Sequence, residues 1–275
     1  MASLDRWLPC MALSALLIAP SADAAEVLDR VMSNGVLVMS TDPEYPPQSS
    51  LEESNEFVGF DIDVGKEIAE RLGVEIEFVT PSWDVITAGN WAGRWDVSVG
   101  SMAPTAARRR VLDFPAIYYY TPAALAVHAD NKDIATPADA SGKSIGVAVA
   151  STYENYLKGE LVIDAEGAPP FEYQIADADI RTYDTDLLAL DDLRLGDGVR
   201  LDAALTALPT IMEAVNEGYP IKVVGEPVFR EPLSVAIDKG DPEFGAKIAE
   251  IVGAMRDDGT LSELSMKWYG TDLTH

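Results

Sequence analysis

Three consecutive arginines, Arg108 to Arg110, stand in the stretch SMAPTAARRRVLDF at residues 101–114 of a chain whose formal net charge is -26. Thr105 is a good N-cap, and a helix starting there carries Arg108 at its third position, from which a side chain reaches back over the cap. Arg109 and Arg110 point about 100° and 200° further around the same helix. A cation in a first turn opposes the helix dipole at about 0.3–1 kcal/mol, which a bound anion would offset. The guanidinium of Arg108 could grip a carboxylate through two parallel hydrogen bonds. A surface arginine paired with one of the many acids explains Arg109 and Arg110, and on spacing alone it serves Arg108 equally well.

The other reactive side chains narrow the chemistry. Residues 1–25 read as a secretory signal peptide, with Arg6, an apolar run from Met11 to Ile18 and the small-x-small site Ala22-Asp23-Ala24. The run is too short to span a bilayer. Processing would remove Cys10, the one cysteine, and with it disulfides, thiolate metal sites and cysteine nucleophiles. Only His128 and His275 remain as imidazoles, too few for a histidine zinc site, so neither metal nor cofactor is expected and no catalytic residue is assigned. The acidity disfavours nucleic acid and anionic lipid as partners, and colloidal stability accounts for it without a ligand.

The elements that must position Arg108 follow from periodicity. Gly35 to Ser40 reads as a buried strand, Val64, Ile68 and Leu72 as one face of a helix stopped by Gly73, and Val74 to Phe78 as a strand. A helix over about 84–92, a strand over 95–99 and a helix from about Thr105 continue the alternation, which implies a parallel sheet covered on both faces. The grammar restarts at Ser144–Val149 with a helix from Thr152, an extended Ile180–Tyr183, a helix from Asp186 and a strand over 201–205. Pro232–Ile237 reads as a further strand and Pro242–Arg256 as a helix. In such folds ligands sit where strands end and helices begin, because unpaired N–H groups there favour anions. Gly100, which allows close backbone approach, and Ser151-Thr152, after the strand ending at Val149, occupy such places.

With these motifs in place the chain resembles the extracellular solute-binding proteins of family 3, which serve ABC importers of polar amino acids. The resemblance runs from about Gly35 to Gly270 and rests on Phe57-Val-Gly-Phe-Asp-Ile-Asp63, the block from Ser101 to Phe114 with its Thr-x-x-Arg, Gly142-Lys-Ser-Ile-Gly-Val147, and Asp258-Gly-Thr260 through Trp268-Tyr-Gly270. It implies an α/β, two-lobed periplasmic binding protein fold of type II, each lobe an α/β sheet domain, joined by two hinge strands. Lobe 1 would comprise residues 26–124 plus 231–275, and lobe 2 residues 125–230. The family places the ligand α-carboxylate on the arginine matching Arg108, with backbone groups matching Gly100, Ser101 and Ala103, and with Ser151-Thr152 from the second lobe. Tyr45 and Trp83 match the aromatic walls over the ligand.

One departure stands out. The family meets the ligand ammonium with a second-lobe acid, and here that position is Ala207. Burying an unpaired ammonium costs several kcal/mol. Either the ligand lacks an ordinary α-amino group, a quaternary ammonium held by Tyr45 and Trp83 being one form, or another acid such as Asp42 or Glu44 takes over. The segment Glu166 to Asp179 is also longer than the pattern leads one to expect. The resemblance implies a monomeric periplasmic protein, not an enzyme, that captures an amino acid or amino-acid-like carboxylate and presents it to a permease. A dehydratase-type enzyme on the same scaffold and an accessory protein docking to a periplasmic enzyme are the alternatives.

Overall fold

The computed structural model describes residues 27–275. The signal peptide expected at residues 1–25 lies outside the described residues. Helix α1 (Val27–Asn34) leads into strand β1 (Val36–Ser40), and a small antiparallel sheet follows, of β2 (Glu44–Tyr45), β3 (Ser49–Leu51) and β4 (Phe57–Val58). Helix α2 (Phe60–Leu72) buries Ile62, Val64, Ile68 and Leu72 and stops at Gly73, whose φ of 75° is a conformation that glycine adopts without a Cβ clash. Strand β5 (Glu75–Val79), helix α3 (Trp83–Thr87) and strand β6 (Val97–Met102) complete the first half, and β1 pairs in parallel with both β5 and β6.

Two long strands cross between the halves. Strand β7 (Leu112–His128) and, near the end of the second half, β11 (Ile221–Asp238) run antiparallel, and their register shifts between Val224 and Phe229. Between them lie β8 (Ser144–Ala148), α4 (Thr152–Leu157), β9 (Asp179–Tyr183), α5 (Asp186–Leu193), β10 (Ala203–Ala207) and α6 (Leu208–Asn216). Helices α7 (Pro242–Asp257) and α8 (Thr260–Tyr269) return to the first half. The strand order β5-β1-β6-β11-β7-β10-β8-β9 is one sheet bent through its two central strands, with separate cores on either side of the bend. This is the type II two-lobed architecture.

Three elements around Arg108 differ from the periodicity. No helix starts at Thr105, because Thr105 forms a β-bridge with Ile163 of the second lobe and only a 3-10 turn, Arg108–Arg110, follows before β7. Capping nevertheless survives, since the Arg108 N–H donates to Thr105 Oγ1 at 3.2 Å. Strand β6 begins two residues later than expected and continues through Gly100 to Met102, so that Gly100 and Ser101 lie within a fully buried strand rather than after it. Helix α3 stops at Thr87, well short of residue 92, because Gly89, Asn90 and Ala92 all take positive φ. Between Glu166 and Ala178 the chain has no helix or strand.

Candidate functional site

Arg108 is built into the cleft by what its neighbours cannot do. The short 3-10 turn leaves one arginine facing inward, and burial falls off from Arg108 (buried) through Arg109 (half-buried) to Arg110 (exposed). Two Arg108 donors go to backbone carbonyls, Nη1 to Ala103 at 3.0 Å and Nη2 to Ala150 of the second lobe at 2.9 Å. A guanidinium has five N–H donors, so the remainder are free to meet a ligand. Burial lowers the Arg108 pKa to about 10, with the charge of Glu231 opposing that shift, and the group stays cationic at neutral pH. Its guanidinium carbon lies 5.3 Å from the Trp83 ring centroid, a cation–π contact that fixes its orientation.

Arg108 opens onto a cavity between the lobes. The first lobe lines it with Asp42, Tyr45, Trp83, Gly100, Ser101 and Arg108. The second contributes Ala148, Ser151, Thr152, Tyr153, Asp184 and Asp186, and Glu231 enters from the crossing strand β11. Seven of the nine residues expected from the sequence therefore converge: Tyr45, Trp83, Gly100, Ser101, Arg108, Ser151 and Thr152. Ala103 and Ala207 are not part of the lining. Ala103 turns into the first-lobe core and offers its carbonyl to Arg108. Ala207 is fully buried at the end of β10, paired with Ala123 of β7, so its methyl group packs in the core of the second lobe. Glu44, named as a substitute acid, accepts from Thr185 Oγ1 at 3.3 Å outside the cavity.

Ser101 has a φ of 54°, an uncommon conformation for a residue with a side chain, and a buried network holds it there. Its N–H donates to Tyr118 OH at 2.8 Å and its hydroxyl to Asp61 Oδ2 at 2.7 Å, while Tyr118 OH donates to Asp61 Oδ1 at 2.6 Å. Burial raises the Asp61 pKa to about 7 against the pull of those two donors. On the far wall, Ser151 caps α4 by accepting from the Glu154 N–H at 3.1 Å, and Thr152 Oγ1 donates to Glu231 Oε2 at 2.8 Å.

The lobes are in contact across the cleft. Tyr45 and Tyr153 hydroxyls lie 3.3 Å apart, and the Ala106 N–H donates to Val162 O at 3.1 Å and the Asp164 N–H to Pro104 O at 2.8 Å. The chain is thus described in a closed form.

Of the cavity acids, Asp42 was named from the sequence as a substitute for the acid missing at Ala207, whereas Asp186 and Glu231 were not. Burial raises Asp42 to about 6, and Asp186 and Glu231 to about 7; neighbouring charges, Asp42 and Glu231 on Asp186, add to it. Asp186 was legible as the first residue of a helix after a strand, the same rule that singled out Ser151-Thr152. Glu231 was visible only as a charge in an apolar strand. The cavity therefore offers one arginine at one end and carboxyl groups elsewhere, a distribution suited to a ligand bearing both a carboxylate and a cation.

Residues 37–271 match the family of bacterial extracellular solute-binding proteins, family 3. The L-cystine-binding protein TcyJ of Escherichia coli K12 is 29% identical over 250 residues, covering 90% of this chain and 88% of that protein. The L-arginine-binding protein of Pseudomonas aeruginosa is 28% identical, covering 83% and 86%. Among solved structures, an ancestral arginine-binding protein bound to arginine superposes with a TM-score of 0.74 at 31% identity, covering 86% of this chain and 99% of that one. The ancestral amino acid-binding protein AncCDT-1, a precursor of cyclohexadienyl dehydratase, has a TM-score of 0.76 at 30% identity, covering 88% and 99%. A two-lobed fold, an arginine-headed cleft and a match across nearly the whole described chain lead to one conclusion: the chain belongs to the bacterial extracellular solute-binding proteins of family 3.

Proposed function

We propose that this protein captures an α-amino acid or a close carboxylate analogue between its lobes and presents the closed form to the permease of an ABC importer. The observation that carries this reading is Arg108: a buried guanidinium, cationic at neutral pH, oriented by two carbonyls and Trp83, with donors left over and facing the cavity between the lobes. The lobes would be residues 26–124 plus 231–275 and residues 125–230, moving about the crossing strands β7 and β11, and the working protein a monomer in the periplasm. A methylated cation against Trp83 is disfavoured because Arg108 already covers one face of that ring.

Titration calorimetry of the processed protein against the twenty L-amino acids, L-cystine, a betaine and simple carboxylates tests the reading. One-to-one binding of at least one amino acid, without chemical change to it, is expected; no binding by any amino acid overturns it. The dehydratase reading keeps one observation in its favour, since Asp186 and Glu231 are buried acids that hold protons near neutrality and so suit general-acid chemistry. Chromatography of the same mixtures after prolonged incubation separates the two, because only an enzyme releases a new product.

A further inference from the structure

The cavity holds an acid whose position neither the helix nor the core explains. Asp186 is the first residue of α5, where an exposed carboxylate would be ordinary, because it complements the helix dipole from solvent. Here it is buried to 9% exposure and lines the cavity. Thr206 lies near enough to ease its ionisation, yet neither Thr206 Oγ1 nor Asp186 Oδ1 completes a hydrogen bond within the protein. Buried carboxylate oxygens are nearly always partnered, and one that is not costs free energy that a ligand donor would recover.

The other acids of the cavity are engaged or wet. Glu231 Oε2 accepts from Thr152 and lies in the field of Arg108. Asp42 Oδ1 accepts from the Glu44 N–H at 2.8 Å, and Asp42 is half-buried. Asp184 is exposed. Asp42 sits after β1 in the first lobe, and its charge acts on Asp186 across the cleft. Two carboxyl groups, one from each lobe, thus line the same cavity, where a single cation would relieve their repulsion.

We propose that Asp186, assisted by Asp42, is the ammonium receptor of this protein, doing from the start of α5 what Ala207 at the end of β10 cannot. The inference rests on the amino-acid-binding reading and names the residue that selects for the amine. A ligand ammonium bridging Asp186 and Asp42 joins the second lobe to the first, so the same contact that recognises the amine favours closure.

The experiment compares each amino acid bound by the wild type with the same acid lacking its α-amino group, for L-arginine the pair with 5-guanidinopentanoate, by calorimetry at pH 7.5. Wild type should prefer the amino acid by about thirtyfold or more, the loss expected when one partner of a desolvated charge pair is removed. In Asp186→Asn that preference should fall to within about threefold, with the affinity for the desamino acid little changed. Asp186→Glu, which keeps the charge, should retain part of it. Circular dichroism and thermal unfolding establish that the variants fold. If the wild type binds an amino acid and Asp186→Asn keeps the preference, the assignment of Asp186 is overturned while the amino-acid reading stands. An equal loss for both probes also overturns it, since that is the signature of general damage. If the wild type binds no amino acid at all, both fall together.

Discussion

On the first-lobe side of the cavity, Ser101 and Arg108 are held by groups fixed at several points: Tyr118 and Asp61 behind Ser101, the Ala103 carbonyl and the Trp83 ring against Arg108. On the second-lobe side, the lining residues are the openings of two helices, Ser151-Thr152 before α4 and Asp186 at the start of α5, each capped locally by Ser151 or Thr185. The first wall owes most of its geometry to contacts within one lobe, Arg108 adding one donor bond to Ala150 across the cleft. The second acquires several of its partners only across the cleft, as Thr152 does with Glu231 and Ala150 with Arg108. On the proposed function the difference implies an order, in which the ligand carboxylate meets the first wall and the second wall completes the site on closure.

The largest expected effect would break this ordering at its origin. Arg108→Ala should lower amino-acid affinity by more than about a hundredfold in calorimetry, because a desolvated charged partner is removed. A loss under tenfold would mean that the first wall is not the primary receptor.

Asp61 sharpens the comparison from behind the wall. Asp61→Asn leaves one acceptor where there were two and removes support from Ser101 at positive φ, so binding should weaken by about tenfold, while the unfolding temperature shifts far less than for a cavity in the core. An unchanged affinity would show that Ser101 needs no such support.

The acids give a pH dependence whose sign is fixed. Asp61, Asp186 and Glu231 have folded pKa values near 7, above those of the unfolded chain, so the folded form binds more protons than the unfolded one between about pH 4 and 7. Their contribution to stability is greatest at low pH and is lost as pH rises through 7. Asp272, pulled down to about 2 by Ser262 and Thr274, acts in the opposite sense, but at more acid pH. The ligand-free protein should therefore unfold at a temperature several degrees higher at pH 5 than at pH 8, and Asp186→Asn should flatten that profile. A profile that rises from pH 5 to pH 8 would contradict the burial of these groups.

The smaller expected effects concern the contact between the lobes. Asp164→Pro removes the N–H that donates to Pro104 O, and ligand dissociation in stopped flow should quicken by about three- to tenfold. Arg110→Ala, at an exposed position, should change affinity by less than about threefold. Equal losses at Arg108 and Arg110 would dissolve the distinction between an inward and an outward arginine.

The alternation of strands and helices, the Gly73 stop and the α7 helix were legible in the sequence because each rests on local chemistry, side-chain period and conformational freedom, whereas spacing alone left Arg108 even between cleft and surface and the family resemblance singled it out. The turn at Arg108 was read as a helix because Thr105 has an N-cap side chain, and nothing within ten residues announces that its backbone pairs with Ile163. Asp186 and Glu231 escaped for the same reason, while Asp42 was named from the sequence as a substitute for the acid missing at Ala207. Asp42, Asp186 and Glu231 stand far apart along the chain and share one cavity only because β11 crosses the cleft and the lobes are closed. Sequence determined which residues could recognise a carboxylate, since a guanidinium carries its charge and donor geometry anywhere. Only the tertiary structure decided which carboxyl group could recognise an amine, because burial, a missing hydrogen-bond partner and a neighbouring charge are properties of the space around a side chain.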